Sequence, residues 1–228
     1  MTPWRILGSG RAPRGGELTL YQRGNEFSIR IDGNELMTSR ACHSEQEMAR
    51  LAVERLDRQA GTPRLLIGGL GMGFTVRAAL DALPPAAEIT VAEIVPAVIA
   101  WNHGALGHLA RCPLEDPRVK VDLGDVARLI AHARTPFDAI LLDVDNGPRG
   151  LTRDANETLY WEAGLASARR ALRSGGLLVV WSAAPDARFE KRLRQTGYTV
   201  ETMEVPRRGP SAAGTRHTLF FGRTPRSG

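Results

Sequence analysis

Between residues 17 and 38 apolar and polar side chains alternate. Glu17-Leu18-Thr19-Leu20-Tyr21 and Glu26-Phe27-Ser28-Ile29-Arg30-Ile31 have the two-residue period of half-buried strands, with Gly24-Asn25 as the turn between them. Asp32-Gly33 predicts a second turn, into Glu35-Leu36-Met37-Thr38. At Met48, Leu51, Ala52 and Leu56 the period becomes that of a helix with one apolar face. Ser44 and Glu47 have the spacing of a capping box at its start. Gly61-Thr62-Pro63 stops this helix. Residues 1–16, rich in Gly, Pro and Arg and without periodicity, read as a flexible arm.

Beyond residue 64, short apolar runs alternate with helical patterns. Leu65-Leu66-Ile67, Ile89-Thr90-Val91-Ala92, Val119-Lys120-Val121-Asp122, the run from Phe137 to Leu142 and the run from Leu177 to Trp181 predict buried strands. Helices are predicted from Thr75, from Pro96 to about Gly104, from Val126, from Leu159 to Leu172 with Ser174-Gly175-Gly176 as a stop, and from Asp186 to Gln195. Tyr198 to Val205 and His217 to Gly222 read as two closing strands added as an antiparallel hairpin.

The first of these strands runs into Gly68-Gly69-Leu70-Gly71-Met72-Gly73-Phe74. A tight turn whose backbone must approach a ligand needs glycine. Strand, glycine turn and helix form the opening unit of a nucleotide-binding sheet. The spacing Gly69-x-Gly71-x-Gly73 departs from the dinucleotide fingerprint, whose third glycine would stand at Phe74. No Lys-Ser or Lys-Thr pair follows the turn, which excludes a Walker-type phosphate loop. Glu93 ends the second strand, about 20 residues on, where an acid accepts hydrogen bonds from ribose hydroxyls. This is the pattern of adenosylmethionine-type folds; a glycine-rich turn without a ligand is the plainer alternative. The predicted fold class is therefore α/β, a Rossmann-like mixed seven-stranded sheet of the adenosylmethionine-transferase type with a small N-terminal antiparallel β domain. The expected boundaries are 1–16 for the arm, 17–42 for the β domain and 43–228 for the Rossmann-like adenosyl-binding domain.

At 228 residues, with 43% apolar side chains, the chain suits one domain with a small appendage and a real core. No apolar run is long enough to span a bilayer, and Met1-Thr2-Pro3-Trp4-Arg5 lacks the apolar stretch of a signal peptide. Cys42 and Cys112 lie far apart without CxxC spacing, so reduced packing residues and a cytoplasmic location are expected. His103 and His108 lack partners at ligand spacing, so no metal is expected. The net charge of +5 raises nucleic acid as a partner. Lysine, however, occurs only at Lys120 and Lys191, and the basic residues are scattered apart from short pairs such as Arg207-Arg208. Arginine excess in a chain rich in Ala, Gly and Pro fits coding bias better than a binding face, so nucleic acid is not expected.

Ligands of such sheets bind outside the carboxyl ends of the strands. There the sequence collects the glycine turn, Glu93, Asp125 and Asp143-Val144-Asp145-Asn146. Glu93 would take the ribose, and Asp125 the adenine amino group, with apolar neighbours packing on the ring. Asp143 and Asp145 lie where the reacting end of the ligand belongs, able to hold a cationic amine or take its proton. Asp125 also reads as a helix N-cap and Asp145-Asn146-Gly147 as a plain turn, and both readings are compatible with function.

In this order, the glycine turn, Val91-Ala92-Glu93-Ile94, Asp116-Pro117-Arg118-Val119 with Gly124-Asp125, and the strand from Phe137 to Asp143 resemble the spermidine synthases. The hairpins with Asp32-Gly33 resemble that family's small β domain, and the likeness runs from about residue 17 to 222. The resemblance implies transfer of an aminopropyl group from decarboxylated adenosylmethionine to an amine, leaving methylthioadenosine. It implies that Glu93 binds ribose, Asp125 adenine and Asp143 the attacking amine. The expected partner is a small-molecule amine, and the expected assembly a homodimer.

The departures fall in the amine half. The family's glycine loop carries an aspartate that holds the aminopropyl ammonium, and here that place is Gly71. A glutamine near the sulfonium is replaced by Leu36. A tyrosine-histidine-glutamate run is matched by His43-Ser44-Glu45, and the Asp-x-x-Asp-Pro after the fourth strand by Asp143-Val144-Asp145-Asn146-Gly147-Pro148. A carboxylate in the loop repels the carboxylate of intact adenosylmethionine by roughly 4 kcal/mol at about 4 Å and an effective dielectric near 20. Glycine removes that repulsion, so intact adenosylmethionine and methyl transfer to a small molecule form the first alternative. A non-catalytic nucleoside-binding homologue is the second.

Overall fold

The computed structural model describes residues 2–12, 15–57, 61–144, 159–209 and 214–226. Its N-terminal part is a four-stranded antiparallel sheet, β1 (Arg5–Arg11), β2 (Glu17–Arg23), β3 (Glu26–Ile31) and β4 (Asn34–Thr38), in that spatial order. Helix α1 (His43–Glu54) leads into the main sheet. There follow β5 (Arg64–Gly68), α2 (Phe74–Ala82), β6 (Glu88–Glu93), α3 (Pro96–His103), β7 (Val119–Leu123), α4 (Val126–Ala131) and β8 (Phe137–Leu142). The chain continues with α5 (Glu162–Ala171), β9 (Leu172–Ser182), α6 (Ala187–Gln195), β10 (Thr199–Pro206) and β11 (Arg216–Arg223). The seven strands lie in the order β10-β11-β9-β8-β5-β6-β7. From β7 to β9 neighbouring strands are parallel, and β11 runs antiparallel between β9 and β10.

The continuous apolar runs become central strands because helices cover both faces of the sheet, as parallel pairing requires. Along β5, Leu65 and Ile67 join one buried cluster and Leu66 the other; along β8, Ala139 and Leu141 alternate in the same way with Ile140 and Leu142. The first cluster also takes in Leu18, Leu20, Phe27 and Ile29 from the N-terminal sheet, so the two sheets share a core.

Three local expectations are corrected. Within the stretch read as an arm, Arg5–Arg11 is strand β1, paired antiparallel with β2. No apolar alternation announces it because glycines make its packing. A Cβ at Gly10 would come within 2.4 Å of the Ala97 Cβ, and one at Gly8 within 3.0 Å of the Trp101 Nε1, so β1 lies directly on α3. The capping box does not form. Cys42 is the N-cap without a side-chain bond, Ser44 turns into the protein, and Glu47 pairs outward with Arg50. Finally, β9 starts at Leu172 and runs through Ser174-Gly175-Gly176. Its pairing with β8 jumps from Leu172 to Leu177, which accommodates the glycines as an irregularity inside the strand.

The β1–α3 contact gives a stability test. Gly10→Ala places a methyl where Ala97 already stands, and the strand must lift to accept it. The expected loss is about 1–3 kcal/mol, the cost of overpacking, read by denaturant unfolding; an unchanged midpoint would show that β1 is not seated on α3.

Candidate functional site

At β5 the strand order reverses, with β6 and β7 on one side and β8 and β9 on the other. Such a switch point leaves a crevice at the carboxyl ends of the strands. The glycine turn sits there. Gly69 has φ +90°, and a Cβ on it would stand 2.4 Å from the carbonyl oxygen of Asp143. The Gly69 N–H donates to the Ala92 carbonyl, and the Asp143 N–H to the Gly68 carbonyl, each at 2.9 Å. The ends of β6, β5 and β8 are thus drawn together around one residue that has no side chain. Gly71, with φ +53°, faces Met37 of β4, whose Cε would be 2.8 Å from an added Cβ. Gly73 is the N-cap of α2.

Glu93 lies at the end of β6, 8% exposed, with its carboxylate turned to the glycine loop. It accepts the Leu70 N–H at 3.0 Å on one oxygen and the Val95 N–H at 2.8 Å on the other. The sequence assigns it to ribose as an expectation; the structure shows it bracing the loop. Asn102, unexpected from the sequence, does the same from α3. Its Nδ2 donates to the Gly71 carbonyl at 2.8 Å and to the Val98 carbonyl at 2.9 Å. A buried asparagine at helical spacing from a proline-started helix carries no pattern that singles it out.

Asp125 is the N-cap of α4, accepting the Ala127 N–H at 2.8 Å. Beside the two acids, Ile94 and Leu123 are large apolar side chains left 38% and 57% exposed. Leu123 is the register partner of Glu93. Exposed apolar groups flanked by carboxylates at strand ends fit a flat heteroaromatic ring with a polar rim. The donor and acceptor set therefore suits an adenosyl group.

Across the glycine loop, Asp143 accepts the Thr75 hydroxyl at 3.1 Å, which links the end of β8 to the first turn of α2. Burial raises its carboxyl to about 6, against the opposing hydrogen bond from Thr75. Glu45, on α1, joins it. Burial first, and then the Asp143 charge, raise Glu45 to about 7, while the Ser44 hydroxyl at 2.6 Å works in the opposite direction. The charge on Asp143 therefore opposes the ionisation of Glu45. Asp143 directly follows β8, and Glu45 is the residue that the sequence matches to the glutamate of a tyrosine-histidine-glutamate run. Asp145, with Asn146 to Pro148, lies outside the described residues. Among the described residues no group of three or more His, Cys, Asp or Glu side chains is placed to hold a metal ion. Nor is any helix among them long and apolar enough to cross a membrane.

A glycine loop at the switch point of a mixed seven-stranded sheet, with an acid ending the second parallel strand, defines the Rossmann-like fold of adenosylmethionine-dependent transferases. Within that class the chain belongs to the spermine/spermidine synthase family, whose domain model matches residues 56–195. A polyamine aminopropyltransferase of Mycobacterium tuberculosis is 28% identical over 198 residues, covering 83% of this chain and 36% of the relative. A putrescine N-methyltransferase of Nicotiana tabacum is 35% identical over 115 residues, covering 50% of this chain and 28% of the relative. The chain thus spans about a third of these relatives' length. The solved spermidine synthase of Thermotoga maritima superposes with a TM-score of 0.75 at 17% identity, covering 98% of this chain and 73% of that one.

The raised carboxyl of Asp143 has a sign that can be checked. With its folded value above the unfolded one, the folded protein binds the extra proton between about 4 and 6, so stability is lost as pH rises through that window. Asp143→Asn removes the buried charge. It should stabilise the free protein by about 1–3 kcal/mol at pH 8, a gain that shrinks below pH 6 and is gone below about pH 4. Urea titrations at the two ends of the range measure it. Destabilisation at pH 8 would mean that the carboxylate is well solvated.

Proposed function

We propose that the protein moves an alkyl group from an adenosylmethionine-type sulfonium to an amine, with aminopropyl transfer from the decarboxylated form as the primary activity and methylthioadenosine as the product. The observation that carries this is the part-buried carboxylate of Asp143, set beside the glycine loop on the same sheet edge as Glu93. One side of the loop suits an adenosyl group, and the other suits a cationic amine. Family membership and the aminopropyltransferase relatives support the reading.

Carbons bonded to a sulfonium are electrophilic, so the protein has little covalent work to do. Glu93 and Asp125 would fix the adenosyl end, and the glycine turn would let the backbone come close to it. Asp143 would hold the acceptor nitrogen in line and take its proton, which leaves the lone pair free for attack; orientation supplies most of the acceleration. The raised value of Asp143 suits a proton acceptor working near neutral pH.

Methyl transfer from intact adenosylmethionine is the second reading, and Gly71 favours it. Where a loop carboxylate would select against a substrate carboxylate, this chain has a glycine facing the Met37 thioether. One relative is a putrescine N-methyltransferase by name. Incubation with 1,4-diaminobutane and either sulfonium separates the readings: methylthioadenosine marks aminopropyl transfer, and adenosylhomocysteine marks methyl transfer. Binding without either product would support a nucleoside-binding role and overturn both.

Two variants test the assignments. Asparagine retains the acceptor that caps α4 but not the negative charge, so Asp125→Asn should melt near the wild type and bind methylthioadenosine about 1–3 kcal/mol more weakly. Equal affinity by calorimetry would remove Asp125 from the adenine site. Gly71→Asp should shift the ratio of affinities towards the decarboxylated ligand by about 1–2 kcal/mol, less than the unscreened figure because the site is open to solvent. Strain at φ +53° and the displaced Met37 side chain affect both ligands alike and cancel in the ratio. A ratio that does not move shows that Gly71 is remote from the ligand's tail.

A further inference from the structure

Ser44 is fully buried at the start of α1, and its hydroxyl has three polar neighbours from three elements. The Glu45 carboxylate lies at 2.6 Å, the Nδ1 of His217 on β11 at 2.8 Å, and the indole N–H of Trp181 on β9 donates at 3.1 Å. The Trp181 and His217 rings meet edge to face with centroids 4.5 Å apart, which fixes the imidazole in place. This cluster lies outside the adenosyl half of the site, and the charge of Asp143 bears on its Glu45 carboxyl.

A hydroxyl carries one proton, and an indole nitrogen can only donate. Ser44 can therefore give its proton to Glu45 or to His217, but not to both. When Glu45 is ionised, Ser44 donates to it, and His217 must carry its proton on Nδ1 and donate to Ser44. When Glu45 is protonated and donates to Ser44, the hydroxyl turns to His217. Nδ1 then accepts, and the imidazole proton sits on Nε2. Burial, and after it the Arg207 charge, hold His217 down at about 4, so in both arrangements the ring is neutral and only its tautomer changes.

We propose that Glu45 is a second carboxylate of the amine half, taking the acceptor's ammonium together with Asp143, and that Ser44 and His217 are positioning residues that select its ionised state through the direction of one hydroxyl bond. The proposal rests on the transferase reading above. Its ligand class is a small primary amine, which enters as a cation, gives one proton to the carboxylate pair and attacks as the neutral base. Ser44 and His217 exchange hydrogen-bond direction but gain and lose no net proton. The other groups that bear on Glu45 are Arg207, from between β10 and β11 and paired with Glu35 of β4 at 3.7 Å, and the Cys42 thiol at the start of its own helix. Arg207 favours the ionised carboxylate, whereas Asp143 opposes it.

Nitrogen NMR of the His217 ring reads the switch without any substrate. Between about pH 5.5 and 8.5 the protonated nitrogen should change from Nε2 at the acid end to Nδ1 at the alkaline end, a change of tautomer and not of charge. In Ser44→Ala the tautomer should no longer depend on pH. A single tautomer across the range in the wild type overturns the switch, whether or not the alanine variant folds. Calorimetry then tests the ligand. With methylthioadenosine present, Glu45→Gln should weaken 1,4-diaminobutane about tenfold and methylthioadenosine itself less than about twofold, as for loss of one charge-assisted bond on the amine side. Unchanged diamine affinity overturns the role of Glu45. If methylthioadenosine fails to bind the wild type, the transferase reading fails instead, and the histidine titration still decides the switch.

Discussion

One carboxylate holds the glycine loop in its shape. Glu93 is the last residue of β6, and its two oxygens take the N–H of Leu70 in the loop and of Val95 just before α3. A glycine-rich turn has little conformational preference of its own and loses more entropy on ordering than other sequences. Without an acceptor for Leu70, a buried N–H would be left unpaired, at a cost comparable to a lost hydrogen bond. The same side chain that suits a ribose is thus part of the scaffold. Asn102 adds a second brace from α3, and Gly69 allows the Asp143 carbonyl to lie against the loop. Binding geometry and fold stability are therefore linked through a few atoms at the centre of the sheet edge.

The opposite side of the crevice has the reverse balance. Asp143 and Glu45 are both part-buried, each raised by desolvation, and Glu45 is raised further by its neighbour's charge. Neutral groups bond to both, the Thr75 hydroxyl to Asp143 and the Ser44 hydroxyl and the Glu45 backbone to the Glu45 carboxylate. Two carboxylates held in this way destabilise the free protein, and a cationic ligand relieves that cost on binding. Structure held by Glu93 on one flank supports strain at Asp143 on the other, a common division at sites where chemistry occurs.

Most of this edge was readable from the sequence because its signals are local. An apolar run, a glycine turn and an acid one strand further on are written within thirty residues, and each follows from backbone rules. The same holds for Asp125, whose capping role is a matter of its next two neighbours. What escaped has a common cause: the partner is distant, or the packing uses the absence of a side chain. Ser44 and Glu47 fit a local capping box, yet the Ser44 hydroxyl is committed to residues on β9 and β11 more than a hundred positions away. Tertiary contacts override a local propensity worth about 1 kcal/mol when burial would otherwise leave polar groups unpaired. Strand β1 was invisible because Gly8 and Gly10 pack by closeness of backbone, which leaves no hydrophobic period to read.

The place of β11 in the sheet has a consequence for synthesis. It is the last strand of those described, yet it lies between β9 and β10. As the chain leaves the ribosome, β9 must present an unpaired edge bearing Val179, Val180 and Trp181 until β11 has been made and can slot in beside it. An apolar strand with one open edge is the kind of surface that templates association between nascent chains. Because β11 also brings His217, the buried Ser44 hydroxyl gains its imidazole neighbour only once that strand is in place.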